Sequence, residues 1–92
     1  MTPEAAETLA LEALGYLAAD ETLMTRFMAE AGAAPGDLSA AAADPAFLGF
    51  VLDFLLADEP VLMAFAESVR SAPERVMQAR AALPGGMTPE WT

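Results

Sequence analysis

Two pairs of adjacent carboxylates, Asp20-Glu21 and Asp58-Glu59, stand 38 positions apart, and one aspartate, Asp53, interrupts the most apolar stretch of the chain. Paired carboxylates suit general acid–base catalysis or the binding of a hard cation. Each pair, however, sits just ahead of a helical pattern, where an acid accepts hydrogen bonds from free amides and adds about 1 kcal/mol. Capping is therefore their expected role, and no calcium loop with alternating oxygen ligands and a central glycine surrounds either pair. The rest of the inventory is poor in chemistry: histidine, cysteine and lysine are absent, which leaves carboxylates, hydroxyls and the single tyrosine, Tyr16. Without the usual bases and activated nucleophiles, no catalytic, cofactor-binding or metal-binding residue is expected.

Asp53 carries the most information of any single polar residue. It lies within Ala46–Ala57, AFLGFVLDFLLA, which is otherwise apolar or glycine. A helix apolar nearly all round is buried on most sides, so this segment is expected at the centre of the fold. Gly49, Asp53 and Ala57 stack at four-residue spacing, and that strip must face something small, wet or charged. It is read first as a narrow solvent-facing edge, and next as the site of an ion pair with one of the four arginines.

The elements around this helix follow from caps and breakers. Thr2, Pro3 and Glu4 form a helix start, and the first helix is expected over Pro3 to Ala19 with Leu9, Ala13, Tyr16 and Leu17 on its inner face. Asp20 and Glu21 open a second helix with the stripe Leu23, Met24, Phe27, Met28 and Ala31, stopped by Gly32. Pro35 begins a short third helix. Asp44 and Pro45 begin the central one, expected to Ala57, and two more are expected over Glu59 to Arg70 and Pro73 to Leu83. Met24, Met28, Met63 and Met77 all fall on helical stripes and read as core. Pro84, Gly85 and Gly86 end the helical part, leaving residues 87–92 as a tail whose Trp91 either packs back or stays loose.

Sliding the chain by 38 positions sets Leu14, Leu17, Ala19, Asp20, Glu21, Phe27, Ala34, Pro35 and Ala41 on identical residues, with Tyr16 on Phe54, Leu23 on Val61 and Leu38 on Val76. The predicted fold is thus an all-α, compact six-helix domain spanning 1–86, read as two degenerate three-helix repeats with halves at about 9–42 and 47–80, with low-complexity drift toward alanine as the alternative source of the matches. Gly15 holds the position equivalent to Asp53, so the repeat itself does not require that charge. At 92 residues, 55% of them hydrophobic, a second domain is excluded. Isoleucine is absent and valine occurs four times, too little for a sheet.

Fourteen acidic residues oppose four arginines for a net charge of −10. Residues 1–59 contain eleven of the acids and only Arg26, while residues 60–92 are balanced. Nucleic acid is an unsuitable partner, because its binding depends on basic side chains that release counterions. Anionic membrane surfaces also select lysine and arginine. A membrane span is not expected either: the unbroken apolar run reaches only about 18 Å at 1.5 Å per residue, against about 30 Å of hydrocarbon. Arg70, Arg75 and Arg80, near the ends of the last two helices, are placed to balance acids within the domain or across a dimer. The acidic opening MTPEAAE lacks the pattern of a secretory signal, so a cytoplasmic location is expected.

The segments ALGYLAADETLMTRFMAEAG, AADPAFLGFVLDFLLADEP and the terminal ALPGG resemble a family of small alphaproteobacterial proteins known as domain of unknown function 3572. The resemblance covers about Ala10 to Gly86. It implies a bacterial cytosolic origin and brings no site residues with it.

Two functional expectations remain. The favoured one is a non-enzymatic acidic interaction module, an adaptor or regulator that offers Glu4, Glu7, Glu12, Asp20, Glu21, Glu30 and Asp37 to a basic or neutral protein partner. The alternative is a small enzyme or ligand-binding protein with a helical pocket around Asp53 and Tyr16.

Overall fold

The first turns of four helices are capped by the side chain that precedes them. Thr2 Oγ1 accepts the Ala5 amide at 3.1 Å and starts α1, Pro3–Ala18. Asp20 accepts the Leu23 amide at 3.1 Å and starts α2, Glu21–Ala31. A 3₁₀ turn at Pro35–Asp37 runs into the single-turn α3, Leu38–Ala41. Asp44 caps α4, Pro45–Leu56, through the Ala46 amide at 3.0 Å. Asp58 does the same for α5, Glu59–Ser68, through the Val61 amide at 3.4 Å. The last helix, α6, is Pro73–Ala81. This computed structural model describes residues 1–32 and 35–84. Among them there is no strand, and the fold is the expected all-α arrangement of six helices.

The expected helix ends are each one or two residues too long. Ala19, Ala57 and Val69 are caps rather than helix, and α6 stops at Ala81. The proposed tail at 87–92, with Trp91, lies outside the described residues.

Helices α1 and α4 pack on each other, α2 and α6 each pack against both, and α5 lies against α4 and α6. The expectation for the apolar segment holds: Leu48, Gly49, Val51, Leu52, Phe54 and Leu55 of α4 are buried. Facing them are Ala6, Leu9, Ala10, Ala13 and Leu17 of α1. Three of these five, Ala6, Ala10 and Ala13, are alanines, whose small side chains let the α1 backbone come close to its neighbours. Phe27 is fully buried and joins α2 to α4, with its ring 5.7, 5.7 and 5.4 Å from those of Phe47, Phe50 and Phe54. Edge-to-face aromatic pairs such as Phe27–Phe54 add to the area they bury.

One expectation about the core is corrected. Met63 and Met77 are 50% and 57% exposed, so they lie on the surface rather than inside. Helices α5 and α6 are covered on one side only, and a long stripe read from sequence overran the buried arc. Met24 and Met28 are half-buried at the edge of the core.

Two features of the structure stand at the 38-residue spacing. Phe27 meets Phe54 edge-on at 5.4 Å, and its counterpart Phe65 meets Tyr16, the counterpart of Phe54, at 5.6 Å. Gly32 and Arg70, again 38 apart, are the two described residues with positive φ, at 68° and 54°.

Candidate functional site

Asp53 is where the two readings of the apolar helix meet. Its side chain is about half exposed, at 48%, as an edge position would be, yet Arg80 Nε donates to its Oδ1 at 2.6 Å. Arg80 belongs to α6 and is itself only 8% exposed. Its Nη1 also donates to the carbonyls of Leu83 and Pro84, at 3.4 and 3.1 Å. A buried guanidinium needs its donors satisfied, and these three acceptors lie on two elements. The backbone that follows α6 is thereby tied to α4.

Gly49 explains how the guanidinium reaches that position. One turn before Asp53, it is buried, and a Cβ built there would lie 2.6 Å from Arg80 Nη1 and 3.1 Å from the Pro84 carbonyl oxygen. The strip Gly49–Asp53 therefore faces a charged group, and glycine is required for space, not for backbone conformation. Sequence reasoning singled out the strip and offered one of the four arginines as a second choice of partner, without choosing Arg80.

Tyr16 and Asp53 are engaged separately. The Tyr16 ring stands edge-on to Phe65 of α5, the Asp53 carboxylate is held by Arg80, and no hydrogen bond or ring contact joins the two among the described residues. The remaining acid pairs act at helix starts. Asp20 and Asp58 cap as described, and no three carboxylates converge among the described residues. Asp58 has a second role, because Arg26 of α2 donates Nη2 to its Oδ2 at 3.0 Å. Arg26 also lies over the Phe54 ring, 5.5 Å from its centroid, a cation–π contact. The Arg26 hydrogen bond, and next the Val61 amide, hold the Asp58 carboxyl below its ordinary value of 3.8.

The acids of the first helix form a different surface. Glu4, Glu7, Thr8, Leu11, Gly15 and Ala18 share the outward face of α1 at helical spacing. Glu7 is half-buried and the others are exposed, Leu11 by 46%. Nothing lies within 4 Å of a Cβ built on Gly15, so this face is open. Past Ala18 it runs into a hollow of about 570 Å³ lined by Ala18, Ala19, Glu21, Met24, Thr25 and Met28. Glu12 flanks the stripe on one side, and Asp20 and Glu21 stand at its far end. Glu30 and Asp37 are exposed further along the same half.

Fold and surface together define an acidic, compact all-helical protein whose Asp20, Asp44 and Asp58 cap helices, while Glu4, Glu7 and Glu12 of α1 make no ion pair among the described residues. The chain matches the family model described as "Protein of unknown function (DUF3572)" over residues 3–86, and it belongs to that family. No curated protein and no solved structure matches it.

Proposed function

We propose that this protein is a non-enzymatic interaction module acting in the cytoplasm, and that the outward face of α1 with the adjoining methionine-lined hollow receives a basic amphipathic segment of a protein partner. The observation that carries this reading is the continuity of the surface. An acid-fringed stripe with an exposed leucine and an open glycine leads directly into an apolar hollow. Small residues permit a partner backbone to approach closely, and methionine adapts to the shape of an inserted side chain. The carboxylates steer and select a basic partner, more through the rate of encounter than through affinity. No helix among the described residues is long and apolar enough to cross a membrane.

The test is a pull-down from a bacterial lysate at low and high salt, with the native chain beside two variants. One replaces Glu4, Glu7 and Glu12 by glutamine, and the other carries Leu11→Ser and Met24→Ser. The native chain should retain a basic protein that leaves at high salt, and both variants should fail to retain it. If nothing elutes in a salt-dependent way and a metabolite instead raises the melting temperature, the small-ligand alternative replaces this reading.

A further inference from the structure

Three of the four arginines fall between residues 70 and 80, and two of them line a cleft on the side of the molecule where α5 turns into α6. The cleft holds about 370 Å³ and is lined by Leu9 and Glu12 of α1 together with Val69, Arg70, Ser71, Ala72 and Arg75. We propose that this cleft binds the phosphoryl group of a small phosphorylated metabolite, with Arg70 and Arg75 as its anionic clamp.

The backbone at Arg70 is the first reason. Helix α5 ends with the Arg70 amide donating to the Glu67 carbonyl and the Ser71 amide to the Ala66 carbonyl, at 3.1 and 2.9 Å. That pattern places the first residue beyond the cap in left-handed geometry, where glycine is usual. The matching residue in the first half is Gly32, at φ 68°, whereas here an arginine is held at φ 54°. A side chain in that region is strained, and strain of this kind persists where the side chain has a task.

The second reason is the state of the polar groups. Arg26 and Arg80 are both in ion pairs, while Arg70 and Arg75 make none among the described residues, in a chain with acids in excess. Ser71 Oγ is buried and has no hydrogen-bond partner among the described residues. An orphan hydroxyl in a native fold calls for a ligand or an ordered water. Ala72, the residue before α6, lines the cleft and provides no side-chain cap for that helix. Two guanidiniums beside a helix start match the several acceptor oxygens of a phosphoryl group, which arginine grips in bidentate fashion.

Chain-wide charge does not exclude this. At physiological salt, charges more than roughly 8 Å away are largely screened, so the acidic face of α1 weighs little beside two arginines at contact. Glu12 is the exception because it lines the cleft. It opposes the anion and favours a ligand with one phosphoryl group over a polyphosphate.

The experiment is amide NMR titration of the full chain with inorganic phosphate and with glycerol phosphate, at ionic strength held constant by sodium chloride. Sodium acetate serves as the carboxylate arm. Saturable shifts confined to residues 69–76 and the Glu12 turn, stronger for the monoester than for acetate, are expected. Arg75→Gln and Arg70→Gly should each weaken binding roughly tenfold, the loss of a charge-assisted contact. Arg70→Gly is the variant that separates binding from folding, since glycine relieves the strain and the protein should melt no lower. Glu12→Gln should tighten binding. Shifts no larger than those from chloride, shifts scattered over the surface, or binding unchanged in Arg70→Gly would overturn the proposal. Preference for acetate would overturn the phosphoryl assignment. None of these outcomes bears on the partner surface of α1, whose test uses protein capture.

Discussion

The two halves of the molecule use charge differently. In the second half, Asp53 and Arg80 join α4 to α6 across Gly49, and Asp58 joins α5 to Arg26 of α2. Shifted back by 38, the Asp53–Arg80 pair falls on Gly15 and Ala42, and the residue matching Arg26 is Ala64. The first half therefore has no counterpart of either bridge. The consequence is visible in the third helix of each half: α6 buries Val76, Ala79 and Arg80 against the core, whereas α3 buries nothing and is one turn long. The matched caps, the two left-handed residues and the exchanged aromatic pairs support the reading of the halves as degenerate copies. The second half carries the bridges, whereas Glu4, Glu7, Glu12 and Glu30 of the first make no ion pair among the described residues.

The largest expected effect tests whether the halves share one core. Leu17 and Leu55 are equivalent and both fully buried. An aspartate at either site buries an unpaired charge, and a loss above about 4 kcal/mol exceeds what a domain this small can absorb. Circular dichroism should show both variants unfolded throughout. A Leu17→Asp protein that kept half its helical signal would show two independent halves.

Next is the clamp. Gly49→Ala forces a methyl group onto the Arg80 guanidinium and should cost about 2 kcal/mol, the usual penalty of overpacking. Gly15→Ala places the same methyl group in open space and should stabilise by about 0.5–1 kcal/mol, as alanine does in a helix interior. Chemical denaturation of the two variants reads the difference in sign. Two stabilising substitutions would mean that Arg80 moves aside freely and that the clamp contributes nothing.

A smaller effect compares the two caps. Asp20→Ala removes a cap alone and should cost about 1 kcal/mol. Asp58→Ala also removes the partner of Arg26 and should lower the melting temperature further. Because the Asp58 carboxyl titrates below its ordinary value of 3.8, its contribution is complete above about pH 4 and is lost as pH falls through the lowered value. Melting curves from pH 6 to pH 3 should fall less steeply for Asp58→Asn than for the native protein. Equal slopes would remove the ion pair from the account.

The helices were legible because their starts are local chemistry: threonine or aspartate before proline or glutamate can be read without the fold. The centrality of α4 was legible because apolar residues run round it. What the sequence concealed depends on distant residues. Asp53 and Arg80 are 27 positions apart, and nothing in the pattern around either residue chooses Arg80 over Arg70 or Arg75. Gly49 reads locally as a helix weakness, and only the guanidinium beside it gives the glycine a purpose. Met63 and Met77 misled because a stripe shows direction but not how far the neighbouring helix extends. The cleft at Arg70 was hidden for a similar reason. The register of 38 pairs Arg70 with Gly32, but the left-handed backbone that makes this substitution informative appears only in the folded chain.

The central claim is that the exposed glutamates of the first half, unlike its capping Asp20, are surplus to folding and available to a partner. It is tested most directly by the melting temperature of a Glu7→Gln, Glu12→Gln, Glu30→Gln triple variant beside Asp53→Asn, at low ionic strength. None of those three glutamates makes an ion pair among the described residues, and neutralising them relieves repulsion in a chain of net charge −10. The triple variant should melt at or above the native temperature and Asp53→Asn below it. A triple variant that melts as low as Asp53→Asn would contradict the account, because those glutamates would then be holding the fold together.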